Sequence, residues 1–301
     1  MLMVGTSGHL EDLDRQYTIA EDVSVTAIAV PRPDLGGAST PVHVLLDGER
    51  VAAAGEFDLA PVAPVQGLRG TCMVATGKGL LVGTESAHVL ELVPGSGALE
   101  AVSAFDAVPG RDSWENPAGP TPDLRSMAVT SAGTWLVNVH VGGLWRSADG
   151  GATWAAVIPP EADVHEVAAG DGARAVVAAA QGVAWSEDDG LTWTWTTDGL
   201  HAAYSRAVAL DGDTAFVTAS TGPTSSDGRL YRGRLGGSLE QCRGGLPESF
   251  PYNLDSGCLT ARDGQVAFGT DDGHVYRSTD GGTGFELVAE RMHSVQSLRY
   301  C

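Results

Sequence analysis

The residues best able to do chemistry in this 301-residue chain are histidines, arginines and carboxylates gathered mostly in its middle third. Of the eight histidines, His9, His88 and His274 share one local pattern, Gly-Thr, a short polar stretch, then His and an apolar residue. A shared position argues for a shared structural role. His43 lies in the apolar run 42–46 and reads as a strand residue. His140, His165 and His201, with His293 as a possible fourth, follow no such pattern. Imidazoles converging on one point could hold a transition metal, Zn, Fe or Cu. A metal there would acidify a bound water or polarise a substrate oxygen. Arg125 and Arg206 are suited to grip a carboxylate or oxyanion bidentately, and Tyr204 and Glu115 to carry protons. Trp114, Asn116, Asn138 and Asp163 complete the candidate ligand contacts. An indole is costly to expose, so Trp114 either packs against the protein or stacks on a ligand.

The elements that position these residues come from an internal repeat. The stretches 144–154 and 184–193 both fit S-x-D-x-G-x-T-W, with their serines at Ser147 and Ser186. A third copy, 278–285, keeps Ser278, Asp280 and Gly282 but has Gly284 for Thr and Phe285 for Trp. Leu230-Tyr231-Arg232-Gly233 marks a degenerate copy between the second and the third. The unit is four short β-rich runs separated by Gly, Asp and Ser turns, and a four-stranded unit of roughly 40–45 residues is a propeller-blade period. The reading is all-β: one seven-bladed β-propeller spanning 1–301, with blades 2 to 7 at 22–60, 66–104, 122–158, 163–199, 203–247 and 254–288. Residues 1–20 and 293–301 together make blade 1, so that terminal strands close the ring and leave no open edge. The 40 glycines punctuate its many turns.

Composition narrows the partners. Acids outnumber bases 38 to 18, for a net charge of -20, the wrong field for a phosphate backbone. No apolar run approaches the roughly 20 residues that span a bilayer. Residues 1–6 show no basic segment or cleavage site, and the four cysteines (Cys72, Cys242, Cys258, Cys301) are scattered, which predicts free thiols in a reducing cytoplasm.

The S-x-D-x-G-x-T-W turns resemble Asp-boxes, the BNR repeats of sialidases, related glycosidases and many non-catalytic propellers. The resemblance implies structural turns between the third and fourth strands, capped by Asp149 or Asp188, with Trp154 or Trp193 packed between blades. It does not carry sialidase activity, because Val30-Pro31-Arg32-Pro33 does not match the family's early Arg-Ile-Pro motif. The chain is more similar to compact bacterial propellers labelled glycosyl hydrolase-like, a label that rests on fold.

Loop class sorts the candidates. The loop 106–123, the turn 138–143, and the stretches 163–166 and 201–206 all fall on the face opposite the Asp-box turns, over the central channel, where a rigid scaffold can carry function on its loops. One level of the innermost strands, read as Thr26, Cys72, Ser126, His165, Arg206, Cys258 and Ser297, is expected to face the channel. The leading reading is a cytoplasmic enzyme acting on a small polar or anionic molecule, assisted by one histidine-bound metal. A non-catalytic BNR propeller binding a protein or carbohydrate through Trp114, Phe250 and Tyr252 is the alternative. A glycosidase is a third reading and needs two carboxylates about 5–10 Å apart, drawn from Glu115, Asp163, Asp271 and Asp272.

Overall fold

Short apolar runs bounded by turn residues become strands buried on both faces when each sheet is covered by a neighbour on either side. Trp135–Val139 and Ala175–Ala179 are such strands, buried along their whole length. The outermost strands Ala155–Ile158 and Thr194–Thr196 are largely exposed. In the computed structural model, which describes residues 1–31, 33–35, 41–93, 95–117, 119–290 and 292–301, these strands form seven four-stranded antiparallel sheets. Arg32 of the Val30–Pro33 run lies outside the described residues. No helix among the described residues is long and apolar enough to cross a membrane.

Named from the axis outward, blade 2 is Val25–Ala29, Val42–Leu46, Arg50–Ala54 and Leu59–Pro64, and blade 3 is Gly70–Ala75, Leu80–Thr84, Val89–Val93 and Ala98–Ala101. Blade 4 is Leu124–Val129, Trp135–Val139, Gly143–Ser147 and Ala155–Ile158, and blade 5 is Val164–Ala169, Ala175–Ala179, Gly182–Ser186 and Thr194–Thr196. Blade 6 is Tyr204–Asp211, Thr214–Ser220, Arg229–Arg234 and Glu240–Gln241, and blade 7 is Leu259–Arg262, Gln265–Gly269, Val275–Ser278 and Glu286–Ala289. Blade 1 takes its innermost strand, Val295–Tyr300, from the C-terminal end and pairs it with Leu2–Thr6 in the register Leu2–Tyr300 and Val4–Leu298; His9–Asp12 and Tyr17–Glu21 follow. The innermost strands touch in sequence around the axis, and Val295–Tyr300 lies between those of blades 7 and 2, closing the ring.

The S-x-D turns hold the outer strands. Ser147 Oγ donates to Asp149 Oδ1 (2.9 Å) and accepts from Gly151 N (2.8 Å), while Asp149 accepts from Thr153 N (2.9 Å) and Thr153 Oγ1 (2.6 Å). Asp188 repeats this with Thr192 N at 2.8 Å and Thr192 Oγ1 at 2.7 Å. Bonds from Thr153 push the Asp149 carboxyl down to about 2. The turns also seat one blade on the next. Gly190 has φ +76°, and a Cβ there would stand 2.6 Å from the Leu136 side chain of blade 4, so a larger residue would be both strained and crowded.

A bulge opens the innermost strand of most blades. The register slips between Val25 and Ala27, Gly70 and Cys72, Leu124 and Ser126, Val164 and Glu166, and Ser205 and Val208. The inserted residue shifts the expected channel level by one in several blades. Cys72, Ser126, Cys258 and Ser297 are buried and reach to the next blade's backbone rather than into the channel. Ser126 Oγ accepts from Val167 N (3.0 Å) and Ser297 Oγ from Ile28 N (3.1 Å). The residue of blade 5 at this level is Glu166, paired with Ala178 as Ser126 is with Asn138. Below it the axis widens into a cavity of about 470 Å³, whose lining includes Ala29, Ala75, Ala128, Ala168, Ala209 and Ala261 together with the charged Glu166, Asp171, Asp211 and Arg299.

Candidate functional site

The bulges bring a polar cluster to the channel mouth over blades 4 to 7. Arg125 and His165 are the inserted residues of blades 4 and 5, and Arg206 lies in the bulge of blade 6. Asp163 precedes the blade 5 strand in a left-handed conformation (φ +47°). Its Oδ2 lies 3.3 Å from His165 Nε2, an ion-pair distance without hydrogen-bond alignment. His165 Nδ1 stands 2.6 Å from Ser205 O. A carbonyl only accepts, so Nδ1 carries the proton and Nε2 is the nitrogen open to exchange. The Tyr204 ring stands 4.7 Å from the His165 ring and 5.7 Å from the Arg206 guanidinium carbon. Arg206 is paired with Asp255 and also donates to Pro223 O at 3.3 Å.

The electrostatics follow from this packing. Contact with His165 holds the Asp163 carboxyl below the usual range, helped by Arg125 and His140. Burial lowers the Arg125 pKa against the raising influence of Asp163 and Asp123. Burial also pulls on Arg206, but Asp255 outweighs it and the net shift is upward. Asp271 is raised by burial and by the charge of Asp255. Asp163 Oδ1, His165 Nε2 and Arg206 Nε are buried atoms with no hydrogen-bond partner among the described residues. Buried polar atoms are ordinarily satisfied, and three that are not lie together in this cluster.

Several sequence-level candidates take other places. Trp114 is buried, 6% exposed, among Phe105, Trp145 and Trp154, with the Arg111 guanidinium 5.0 Å from its ring. It packs against the protein, the first of its two expected places. Asn138 is fully buried and ties blade 4 to blade 5 by donating to Val164 O (2.8 Å), and within its own blade it donates to Ser126 Oγ (3.3 Å). Asn116 supports His140 through a shared carboxylate, since Asn116 Nδ2 (3.2 Å) and His140 Nδ1 (3.1 Å) both meet Asp123 Oδ1. Glu115 is exposed on its loop and enters none of these contacts. Phe250 is buried against Phe268 and Tyr276, and Tyr252 donates to Asp272, so they form no open aromatic patch with Trp114.

The imidazoles do not converge. His140 pairs with Asp123, and His165 contacts Asp163 and Ser205 O. His201 lies between Tyr231 Oη (2.7 Å) and Asp227 Oδ2 (3.2 Å). His293 pairs with His9, nitrogen to nitrogen at 3.3 Å, in blade 1. Among the described residues no group of three or more His, Cys, Asp or Glu could hold a metal ion. The donor set therefore does not fit the expected metal centre. The other repeat histidines pair with carboxylates, His88 with Asp106 and His274 with Asp272, both at 2.8 Å. Asp123, Asp255 and Glu166 escape sequence reasoning. The signal for Glu166 is a charged residue at a repeat level otherwise held by Ser, Ala or Cys, visible once the bulge is placed.

No family model matches the chain, and no curated protein matches it in sequence. Among solved structures it is similar to the GH74 xyloglucanase from Xanthomonas campestris, at 17% identity and TM-score 0.63 over 94% of this chain and 46% of that one. It spans about half of that enzyme. It is also similar to U3-55K (14% identity, TM-score 0.65, 93% of this chain and 86% of that one) and to the RRP9 WD40 repeats (14%, 0.65, 100% and 89%). At these identities the likeness shows the fold, a seven-bladed β-propeller shared by enzymes and by WD40 proteins.

Proposed function

We propose that the mouth over blades 4 to 6 binds a small polar molecule bearing a negative charge and exchanges a proton with it. The carrying observation is the cluster of unpartnered buried atoms, Asp163 Oδ1, His165 Nε2 and Arg206 Nε, beside an Arg125 whose side chain has no hydrogen bond among the described residues. Arg125 is the anchor for the anion, since a partly desolvated guanidinium gains most from a bidentate oxyanion. His165 Nε2, oriented by Ser205 O and flanked by Asp163, is the proton-exchanging group. Tyr204 forms the wall between His165 and Arg206. The hydrogen-bonded S-x-D turns support placing the chain among Asp-box propellers, where binders and enzymes both occur.

The test uses D-glucuronate and uncharged D-glucose as probes, read by amide chemical shifts and calorimetry. Glucuronate is expected to perturb residues 163–166 and 204–206 and to bind better than glucose. Arg125→Gln is expected to remove that preference. Equal binding of the two sugars, or shifts confined elsewhere, overturns the reading. Glycoside cleavage is the second reading, favoured by the raised Asp271 carboxyl beside Asp255. Release of nitrophenol from p-nitrophenyl glucuronide, abolished by Asp271→Asn, would support it.

A further inference from the structure

Glu166 is 5% exposed and sits directly beneath the mouth, yet it takes no part in the site as described. Its equivalents in other blades are short. Ser126 and Ser297 each cap one backbone N–H of the next blade. Glu166 does this and more. Its Oε2 accepts from Val208 N (2.9 Å) of blade 6, and its Oε1 accepts from Gly257 N (3.0 Å), which leads into blade 7. The neighbouring Ser256 hydroxyl lies within 2.9 Å of Arg206 O and 3.4 Å of His165 O. One carboxylate thus joins the strand carrying His165, the strand carrying Arg206 and the turn that follows Asp255, the partner of Arg206.

Resting on the binding reading above, we infer that Glu166 is the positioning residue of the mouth site, holding it in register when ionised and loosening it when protonated. The reason is the count of acceptors. A carboxylate offers both oxygens to N–H donors, whereas a carboxylic acid turns one oxygen into a hydroxyl that faces a donor. Protonation therefore weakens the tie to blade 6 or to Gly257. The charged and titratable groups around Glu166 are Arg299 from blade 1, Arg125 from blade 4 and the Cys258 thiol from blade 7, with His165 adjacent on its own strand. Burial outweighs both arginines and both N–H bonds, and pushes the carboxyl up to about 7, so the change falls in an ordinary working range.

The experiment has two arms. In the first, the amide signals of Val208 and Gly257 are followed from pH 5 to 9 in the unmodified protein and in Glu166→Gln. They are expected to titrate together near neutrality in the former and to stay flat in the latter. Amides that do not move in the unmodified protein overturn the inference without need of any variant. In the second arm, glucuronate affinity is measured over the same range. It is expected to fall with decreasing pH by up to about tenfold per unit, the limit for one linked proton, and to lose this dependence in Glu166→Gln. Superimposed profiles overturn the inference and leave the binding reading standing. Absent binding with titrating amides overturns the binding reading and leaves the clamp.

Discussion

Replacing Glu166 by Gln should reshape the dependence of stability on pH. The carboxyl moves from its ordinary 4.5 to about 7 in the folded protein. The folded chain therefore binds this proton more tightly than the unfolded chain does. The stabilisation is complete below about 4.5 and is lost as pH rises through about 7. At about 1.4 kcal/mol per pH unit, the loss between pH 5 and pH 8 is about 2 to 3 kcal/mol. Gln cannot ionise, so it removes this dependence. It also presents an NH₂ group to one of the two backbone donors, Val208 N or Gly257 N, as the protonated acid does with its hydroxyl, so it stands in for that form at every pH. The variant should thus be close to equal in stability at pH 5 and the more stable protein, by about 2 to 3 kcal/mol, at pH 8. Urea unfolding followed by tryptophan fluorescence at the two pH values gives the difference directly, and other titrating groups cancel between the two proteins. A gap between them that is the same at pH 5 and pH 8 would refute the reasoning, because burial of Glu166 would then carry no proton linkage.

Two further substitutions separate packing from binding. Trp114→Ala should cost about 3 to 5 kcal/mol by opening a cavity among Phe105, Trp145 and Trp154, while glucuronate affinity at a temperature where the variant is folded stays unchanged; a selective loss of affinity would return Trp114 to the ligand. Asn138→Ala should cost about 1 to 3 kcal/mol in the same urea assay by leaving Val164 O without its buried donor, and an unchanged midpoint would show that the link between blades 4 and 5 lies elsewhere.

The blade repeat and the channel-mouth cluster differ in how far local sequence reaches. A turn such as Ser147 to Trp154 is built from bonds within four residues of one another, so its residue types and spacing state its geometry outright. The same holds for the strand runs, whose apolar content is set by burial on both faces. The set His165, Tyr204 and Arg206 is also readable, since these residues break the repeat at the start of innermost strands. A bulge is not readable in this way. It adds one residue without a composition of its own, and that single step moves Glu166 rather than His165 into the level of Ser126 and Ser297.

The sequence by itself determines the seven-bladed ring, its closure by terminal strands, the Asp-bearing turns and the loops from which a site can be drawn. These depend on contacts between near neighbours and on a period repeated along the chain. Only the tertiary structure decides that His140, His165 and His201 each meet a different carboxylate instead of one another. It likewise decides that Trp114 packs inward and that Glu166 reaches across two blades to Val208 and Gly257. Those outcomes depend on distances between blades, on which a residue's position along the chain is silent.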